Sequence, residues 1–422
     1  MEGAKSVLLL GNHRQSLALA RALGAAGWRV VMGYNGGYDN NHGAHRSNWV
    51  AEVWRHPDYA ADGEAFDRAL RQTVREREGL AAVFPVNDAA MRRVGPMREE
   101  LGKRVAVVMA NASAVTACLD KDATVAVCER LGLAYPRSRV AEGLEGEGGL
   151  RAVVGAVGLP CVVKPLDAAE LIYGVKAAIV RDAGELTTLL GNSEMADRRV
   201  LVQRFVDRPR HSVHLAAKDG RLIAAVDALA LRTDRADGTG FAVSAQTIEP
   251  AVPLREATER LVAALDYTGV GCLQFLMEPG GDEPTFLEFN ARVAGSFYVA
   301  EAAGVPLSEM ALALGLGQTP AWDEGGGGAW AYKRGVRFAW TCGALAGVRF
   351  ERRRGVIGLG GAIGWLGRTV GEAVRADCHI GWRWRDPLPT LVELTRPLHR
   401  GRRLVSGEAS GGEGASAAAA TV

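Results

Sequence analysis

Oxygen-bearing side chains cluster on two neighbouring predicted strands in the second half of the chain. Glu288 and Asn290 stand two residues apart on the second strand, so the alternation of side chains puts both on one face. Gln274 lies on the first strand and can face the same pocket. Carboxylate and amide oxygens suit Mg²⁺, which leaves its other positions to phosphates and water. We therefore predict that Gln274, Glu288 and Asn290 are metal ligands.

The surroundings of this predicted metal site give two further expectations. Arg292, two residues beyond Asn290, would reach an anionic group beside the ion. The same alternation is expected to point Leu287 and Phe289 away from the pocket. The alternative is that Glu288 and Gln274 are ordinary polar residues of a strand.

The composition excludes several classes of protein. The chain has 422 residues, with 50 Lys and Arg against 48 Asp and Glu and 48% hydrophobic residues, which is enough for two or three globular domains. The first residues are typical of a strand rather than a signal peptide, and no run of about 18 apolar residues predicts a membrane span. The six cysteines lie in apolar surroundings without a C-x-x-C pair, so we expect buried free thiols and a cytoplasmic protein.

Strands and helices alternate over roughly the first 112 residues. The predicted strands are 6–10, 29–32, 81–86 and 105–110, and the predicted helices are 17–26, 64–77 and 89–101. This alternation favours a parallel, Rossmann-like sheet. The loop at 11–16 lacks the second and third glycines of G-x-G-x-x-G, so a dinucleotide site is not expected there.

The pattern changes after residue 118 to a helix at 122–131 followed by short strands and hairpins. The predicted strands are 161–164, 177–180, 200–205, 211–217, 222–230, 272–277 and 285–288, with a helix at 255–265 and a glycine turn at 280–281. An α+β domain is therefore expected after the α/β one.

Several segments resemble, in order, the motifs of the ATP-grasp superfamily of ATP-dependent carboxylate–amine ligases. The stretch 286–292, Phe-Leu-Glu-Phe-Asn-Ala-Arg, resembles its E-x-N-x-R metal motif, and Gln274 is similar to the glutamine of the carbamoyl-phosphate-synthetase-like branch. The segments 119–121 and 132–136 resemble the entry to its ATP-binding subdomain, and 159–165, Leu-Pro-Cys-Val-Val-Lys-Pro, resembles its phosphate-contacting strand. The resemblance covers roughly residues 5–315.

The resemblance implies a fold of class α/β followed by α+β. An N-terminal Rossmann-like pre-ATP-grasp domain would span 1–115 and an ATP-grasp domain 116–315. A basic, tryptophan-containing C-terminal extension would follow at 316–405, and a Gly/Ser/Ala/Glu tail at 406–422 is expected to be disordered.

The resemblance also implies ATP and Mg²⁺ (or Mn²⁺) as cofactors, with Lys164 and Arg292 as catalytic residues that neutralise charge. Only seven of the basic residues are lysines, and two of them stand at motif positions where a compact cation would approach phosphates. The implied nucleotide-binding residues are Lys121, Lys164, Lys176, Gln203, Arg204, Phe205 and Val206.

The implied reaction phosphorylates a carboxylate to an acylphosphate, which an amine then attacks. We expect the substrate between the two domains, at the carboxyl ends of strands. The candidate substrate residues are Asn12, Asn87, Asp88, Arg232, Gly295 and Ser296. For Asn12, Asn87 and Asp88 the alternative is an ordinary turn role, and for Arg232 it is a solvated loop.

One segment departs from the family pattern. The phosphate-covering loop is usually rich in Gly and Ser because several backbone N–H groups close over the γ-phosphate. Here residues 167–176 contain one glycine and two acids. Either the loop closes differently, with the help of Lys176, or phosphoryl transfer is slow. A nucleotide-binding regulatory or scaffold protein is therefore the alternative function.

The C-terminal part of the chain is basic, with 15 Lys and Arg against 5 Asp and Glu between Ala331 and Arg403. We favour a cap on the ATP domain that lines an anionic pocket. The alternative is contact with a membrane surface or an anionic glycan.

Other partners and sites follow from what the sequence contains. No recognised nucleic-acid module accompanies the basic charge, so no nucleic-acid partner is expected. The resemblance implies small-molecule carboxylate and amine partners, and it also fits a homodimer. The histidine pairs at 42 and 45 and at 211 and 214 lack a zinc context, and no G-x-S-x-G motif predicts a serine hydrolase.

Overall fold

Three sheets organise the protein. The structure, a computed structural model, describes residues 5–36, 43–143, 148–166, 172, 177–190, 199–322 and 328–395. This part of the chain contains a five-stranded, a four-stranded and a seven-stranded sheet. The mixed α/β class predicted from the sequence is confirmed.

The five-stranded sheet is parallel and lies between layers of helices. Its strands are β1 (Ser6–Leu10), β2 (Arg29–Tyr34), β3 (Val50–Arg55), β4 (Leu80–Pro85) and β5 (Ala106–Val107), in the order 3-2-1-4-5. The helices are α1 (Arg14–Ala25), α2 (Gly63–Glu76), α3 (Asp88–Val94) and α4 (Arg98–Gly102). All five residues of β1 are buried because both faces are covered, which explains its unbroken apolar run.

Two elements of this sheet differ from the sequence prediction. The pattern missed β3, an edge strand whose partly exposed residues include charged ones and therefore form no apolar run. The strand expected at 105–110 is shorter, because only Ala106 and Val107 pair with β4.

The four-stranded sheet is antiparallel. Helices α5 (Ala112–Leu119) and α6 (Lys121–Leu131) precede it, its strands are β6 (Ser138–Glu142), β7 (Cys161–Pro165), β8 (Ala178–Val180) and β9 (Arg199–Arg204), and its helices are α7 (Leu150–Val157) and α8 (Ala183–Leu190). Cys161 and Val163 of β7 pack in the core that these last two helices cover. Alternation therefore puts Lys164 on the opposite, open face.

The seven-stranded sheet is mostly antiparallel and has the order 14-13-10-11-12-15-16. Its strands are β10 (Arg210–Lys218), β11 (Arg221–Thr233), β12 (Ala242–Thr247), β13 (Gly269–Leu276), β14 (Thr285–Asn290), β15 (Arg337–Ala339) and β16 (Cys378–His379), and α9 (Val252–Ala264), α10 (Tyr298–Ala302) and α11 (Leu307–Gly315) accompany it. Leu9 of β1 and Val226 of β11 belong to one buried cluster, so this sheet shares a core with the N-terminal one.

The C-terminal segment contains α12 (Thr341–Arg353), α13 (Leu359–Arg375) and α14 (residues 388–395). The outward side of α13 carries exposed apolar residues, among them Ile363 and Val374. Two ion pairs attach the segment to the rest of the protein: Arg232 of β11 binds Glu372, and Arg21 of α1 binds Asp386. The tail predicted to be disordered, 406–422, lies outside the described residues.

Two sequence predictions can be compared directly with this fold. All six cysteines are unbonded, and five of them are buried, which confirms the expected free thiols. Among the residues described, no helix combines the length and the hydropathy needed to cross a bilayer.

Candidate active site

A cavity of about 930 Å³ opens between the four-stranded and seven-stranded sheets and reaches the start of α1. Most of the residues predicted from the sequence line it. They are Asp88, Lys164, Gln203, Arg204, Phe205, Val206, Arg232, Gln274, Glu288, Asn290, Arg292, Gly295 and Ser296. The structure thus brings the predicted metal, nucleotide and substrate residues to one cleft.

The predicted metal ligands form a row across two neighbouring strands. Gln274 of β13 lies directly opposite Glu288 of β14, so both side chains leave the sheet on the same face. Asn290, two residues on, donates a hydrogen bond from Nδ2 to Oε1 of Glu288 at 2.8 Å. The alternation argument therefore brings the three oxygen-bearing groups together as expected.

The same argument is wrong for Leu287. Phe289 is buried in the core as expected, but Leu287 lines the cavity and Phe286 takes its place in the core. The cause is an irregularity between Gln274 and Phe275, where the pairing with β14 shifts by one residue. The connection between β13 and β14 is eight residues long and includes the glycine turn expected at 280–281.

Arg292 joins the N-terminal sheet to this row. Its Nε and Nη2 donate to the two carboxylate oxygens of Asp88 at 2.7 and 2.9 Å, and Nη2 also donates to Oδ1 of Asn290 at 3.2 Å. Burial acts most strongly, to lower the pKa of Arg292, but the charge and hydrogen bonds of Asp88 together with the charge of Glu288 outweigh it, and the pKa is raised. The anionic group that Arg292 meets in this structure is therefore Asp88.

Lys164 lies on the opposite wall of the cavity, on β7. Its Nζ donates to Oε1 of Gln203 at 2.9 Å, and Nε2 of Gln203 donates to Oγ of Ser138 at 3.0 Å. These two hydrogen bonds hold the ammonium group of Lys164 beside β9, where it faces the cavity.

The segment after β9 leads from one sheet to the other along the cavity. The side chain of Arg204 turns back, with Nη1 donating to the carbonyl of Leu159 at 2.6 Å, while the backbone N–H of Phe205 donates to Pro160. Lys121 begins α6, but its side chain is not described. Lys176 and the predicted phosphate loop, apart from Ile172, lie outside the described residues.

The predicted substrate residues divide into two groups. Asn12 and Asn87 do not line the cavity: Asn12 accepts a hydrogen bond from the backbone of His45, and Asn87 caps the start of α3. The cap formed by Asn87 matches the ordinary turn role, whereas Asn12 holds a segment 33 residues away. The substrate role of both residues stays a prediction. Asp88, Arg232, Gly295 and Ser296 do line the cavity.

The cavity-lining candidates already have protein partners. Arg232 is bound through two nitrogens to Glu372, and Oγ of Ser296 lies 3.3 Å from Nε2 of His214. Burial lowers the pKa of His214 to about 4, so its imidazole is neutral near pH 7.

Sequence reasoning missed several arginines that line the same cavity, among them Arg14 and Arg210. Arg14 lies just beyond the carboxyl end of β1, the kind of position where α/β sheets bind ligands. Arg210 begins β10, two residues before Ser212, and therefore shares the face of Gln274 and Glu288. Trp365 and Arg368 of α13 also reach the cavity and were not foreseen.

Comparison with known proteins identifies similar sequences and folds. Residues 120–321 match the family described as carbamoyl-phosphate synthase L chain, ATP binding domain. The carbamoyl phosphate synthase large chain of Thermus thermophilus is 31% identical over 218 residues, which are 49% of this chain and 20% of the relative. This chain therefore matches about a fifth of the length of that relative.

Two solved structures have a similar fold. An N5-carboxyaminoimidazole ribonucleotide synthetase, determined as an ADP complex, superposes with a TM-score of 0.62 at 11% identity, covering 84% of this chain and 86% of the other. An L-amino acid ligase from Bacillus licheniformis superposes with a TM-score of 0.58 at 16% identity, covering 74% of each chain. At these identities the two superpositions show a common fold.

Proposed function

Because the chain belongs to the ATP-grasp superfamily, with an ATP-binding domain of the carbamoyl-phosphate-synthase type, we propose that it is an ATP- and Mg²⁺-dependent ligase that joins a carboxylate to an amine. One observation carries the proposal. The row of Gln274, Glu288 and Asn290 and the ammonium group of Lys164 line opposite walls of one cavity.

The residues present fit a magnesium ion bound beside phosphates. One carboxylate and two amide oxygens supply hard ligands with a single negative charge, which leaves room for phosphate oxygens and water around the ion. Gln274, Glu288 and Asn290 would hold Mg²⁺, which would supply neutralisation of phosphate charge. Lys164 would add its positive charge from the opposite wall, where Gln203 orients it.

In the proposed reaction a carboxylate oxygen of one substrate attacks the γ-phosphorus of ATP, and ADP leaves. The amine nitrogen of the second substrate then attacks the acyl carbon, phosphate leaves, and the nitrogen loses a proton. Such transfers demand positioning and charge stabilisation more than covalent help from the protein. Lys164 and Arg292 are the proposed catalytic residues, and the segment containing Phe205 and Val206 is proposed to hold the adenine.

The test is ADP release by the purified chain with Mg-ATP and pools of amino acids and small carboxylates. We expect pool-dependent ADP release that falls roughly 100- to 1000-fold in Glu288→Gln and in Lys164→Met, the loss typical when one group that stabilises developing charge is removed. Glu64→Gln and Lys103→Met are matched controls at exposed positions outside the cavity, and both should behave as wild type.

The same experiment separates the ligase from its alternative. ATP that protects the protein against heating, without ADP release in any pool, would favour the non-catalytic nucleotide binder suggested by the acidic loop sequence. ADP release that is unchanged in Glu288→Gln would contradict the proposed metal site.

Small molecules are the partners that this proposal requires. No comparison supports the membrane or glycan contact considered for the basic C-terminal region, and that contact stays a prediction from charge alone. A homodimer, the cytoplasmic location and the domain boundaries at 115, 315 and 405 likewise stay predictions.

A further inference from the structure

Arg14 lines the cavity and is held by two aromatic rings. Its guanidinium carbon lies 3.9 Å from the centroid of the Trp340 ring and 4.6 Å from that of Phe241. The backbone of Gly295 approaches so closely that a Cβ there would collide with the guanidinium group. Because these contacts fix the side chain, its N–H groups have a defined direction before any ligand arrives.

Arg14 and Arg210 differ from Arg292 and Arg232 in having no described carboxylate as a direct partner. Arg292 and Arg232 each contact a carboxylate through two nitrogens. Within the described residues, Nη1 of Arg14, Nε of Arg210 and Nη1 of Arg232 are buried and have no hydrogen-bond partner, but Arg232 is paired with Glu372 through its other nitrogens. Arg210 donates from Nη1 to the carbonyl of Gly240 at 2.9 Å, which is a neutral acceptor.

Both positively and negatively charged side chains act on the pKa of Arg14. Burial lowers the pKa of Arg14 to about 10, with Arg292 and Arg210 adding to the decrease and Glu393 and Asp234 opposing it. The carboxylate of Asp234 accepts a hydrogen bond from the backbone N–H of Phe241 at 2.7 Å and lies 3.8 Å from Arg235, so it has its own partners. At neutral pH Arg14 is therefore a partly buried cation that no described carboxylate contacts directly.

A buried cationic donor without an acceptor is costly, and an anionic ligand would remove that cost. A planar carboxylate offers the acceptors that a guanidinium group bonds best. We propose that Arg14 and Arg210 form a carboxylate-binding subsite for a carboxylate that the reaction does not consume. This subsite lies beside the row of Gln274, Glu288 and Asn290, whose Glu288 carboxylate acts on the charge of Arg210, and it lines the same cavity.

The inference rests on the proposed function, because it assigns a class of substrate to the same cleft. A ligase activates one carboxylate, so a second carboxylate must belong either to an amino acid that supplies the amine or to a dicarboxylic acid that supplies the acyl group. Both sources share the chemistry that Arg14 and Arg210 would recognise, and matched derivatives distinguish them.

The first arm of the test measures turnover by the full-length protein. ADP release with Mg-ATP is compared for α-amino acids and their carboxamides, and for dicarboxylates and their monoamides. We expect productive substrates to carry the spare carboxylate, and its conversion to an amide to raise KM roughly 10- to 100-fold, as the loss of charge-assisted hydrogen bonds predicts. An effect confined to amino acids identifies the amine donor, and one confined to dicarboxylates identifies the acyl donor.

The second arm tests the arginines themselves. Arg14→Met should raise KM for the carboxylate substrate by the same factor, leave KM for ATP unchanged, and have no further effect on the amide. Arg14→Lys should recover part of the loss. Arg210→Met gives a second variant should Arg14→Met fold poorly, and Arg68→Met, at an exposed position on α2, is the matched control.

A binding arm keeps the inference independent of catalysis. Calorimetric titration of the same compounds into the protein with Mg²⁺ and a non-hydrolysable ATP analogue should show carboxylate binding that Arg14→Met weakens. Such binding without ADP release would contradict the ligase and support the subsite. ADP release that depends on Glu288, with amides as effective as acids or with Arg14→Met unchanged, would overturn the subsite and leave the ligase standing. If no compound binds or reacts in a way that depends on its carboxylate, the subsite is wrong.

Discussion

Asp386 makes buried hydrogen bonds that connect the C-terminal segment to the N-terminal part of the protein. The effect of its removal on the free energy of unfolding follows from these contacts. Its carboxylate accepts from Nε of Arg21 at 2.8 Å, from Oγ of Ser47 at 2.7 Å and from the backbone N–H of Asn48 at 3.0 Å. Both side chains of the ion pair are 1% exposed. Asp386→Ala would remove three hydrogen bonds and leave the charge of Arg21 buried, for which a loss of about 3–5 kcal/mol is expected.

The assay is urea unfolding followed by far-ultraviolet circular dichroism, with Glu64→Ala as the control. Glu64 pairs with Arg68 on the surface, so its removal should cost less than about 0.5 kcal/mol. The double variant Arg21→Met/Asp386→Ala should cost less than the sum of the single changes, because no charge is left without a partner. A loss below about 1 kcal/mol in Asp386→Ala, or strict additivity in the double variant, would refute this reasoning.

Two further predictions concern His214, which is buried against Ser296, and Gly295 of the cavity. Burial lowers the pKa of His214 from 6.5 to about 4, so the folded protein favours the neutral imidazole. The stability that depends on this neutral form is fully present above pH 6.5 and is lost as the pH falls toward 4, by up to about 3 kcal/mol. Urea unfolding across this range should be flatter with pH in His214→Gln, and parallel curves would contradict the assignment. Gly295→Ala should lower the free energy of unfolding by about 1–3 kcal/mol through collision with Arg14. The loss should be much smaller in an Arg14→Ala background, with Gly102→Ala as the control in open space; an equal loss in both backgrounds would place the strain elsewhere.

Local sequence patterns predicted the parts of the site that lie on single strands. The apolar run of β1, the alternation in β7 that exposes Lys164 and the spacing of Glu288 and Asn290 each follow from a few adjacent residues. The resemblance to the ATP-grasp superfamily rested on such segments, and the match of residues 120–321 confirms it.

Other features could not be predicted from local sequence patterns, because they depend on residues far apart in the chain or on one-residue irregularities in strand pairing. The exposure of Leu287 to the cavity follows from a shift in strand pairing that leaves no mark in the composition of β14. The partners of Arg21 and Arg232 lie 365 and 140 residues away. No periodicity connects such positions, so the sequence suggested a substrate residue or a solvated loop for Arg232, where the structure has a largely buried ion pair.

The two ends of the cavity are therefore built differently, and this bears on why the family is easier to recognise than the substrate. The end with Lys164 and Glu288 comes from short motifs on adjacent strands. The other end needs Arg14 from the first helix, Phe241 next to β12 and Trp340 at the start of α12, with Trp365 of α13 also on the wall. Because the C-terminal segment supplies part of that wall and Asp386 helps to hold it in place, the segment contributes to the part of the cavity that contains the proposed carboxylate subsite as well as to the fold.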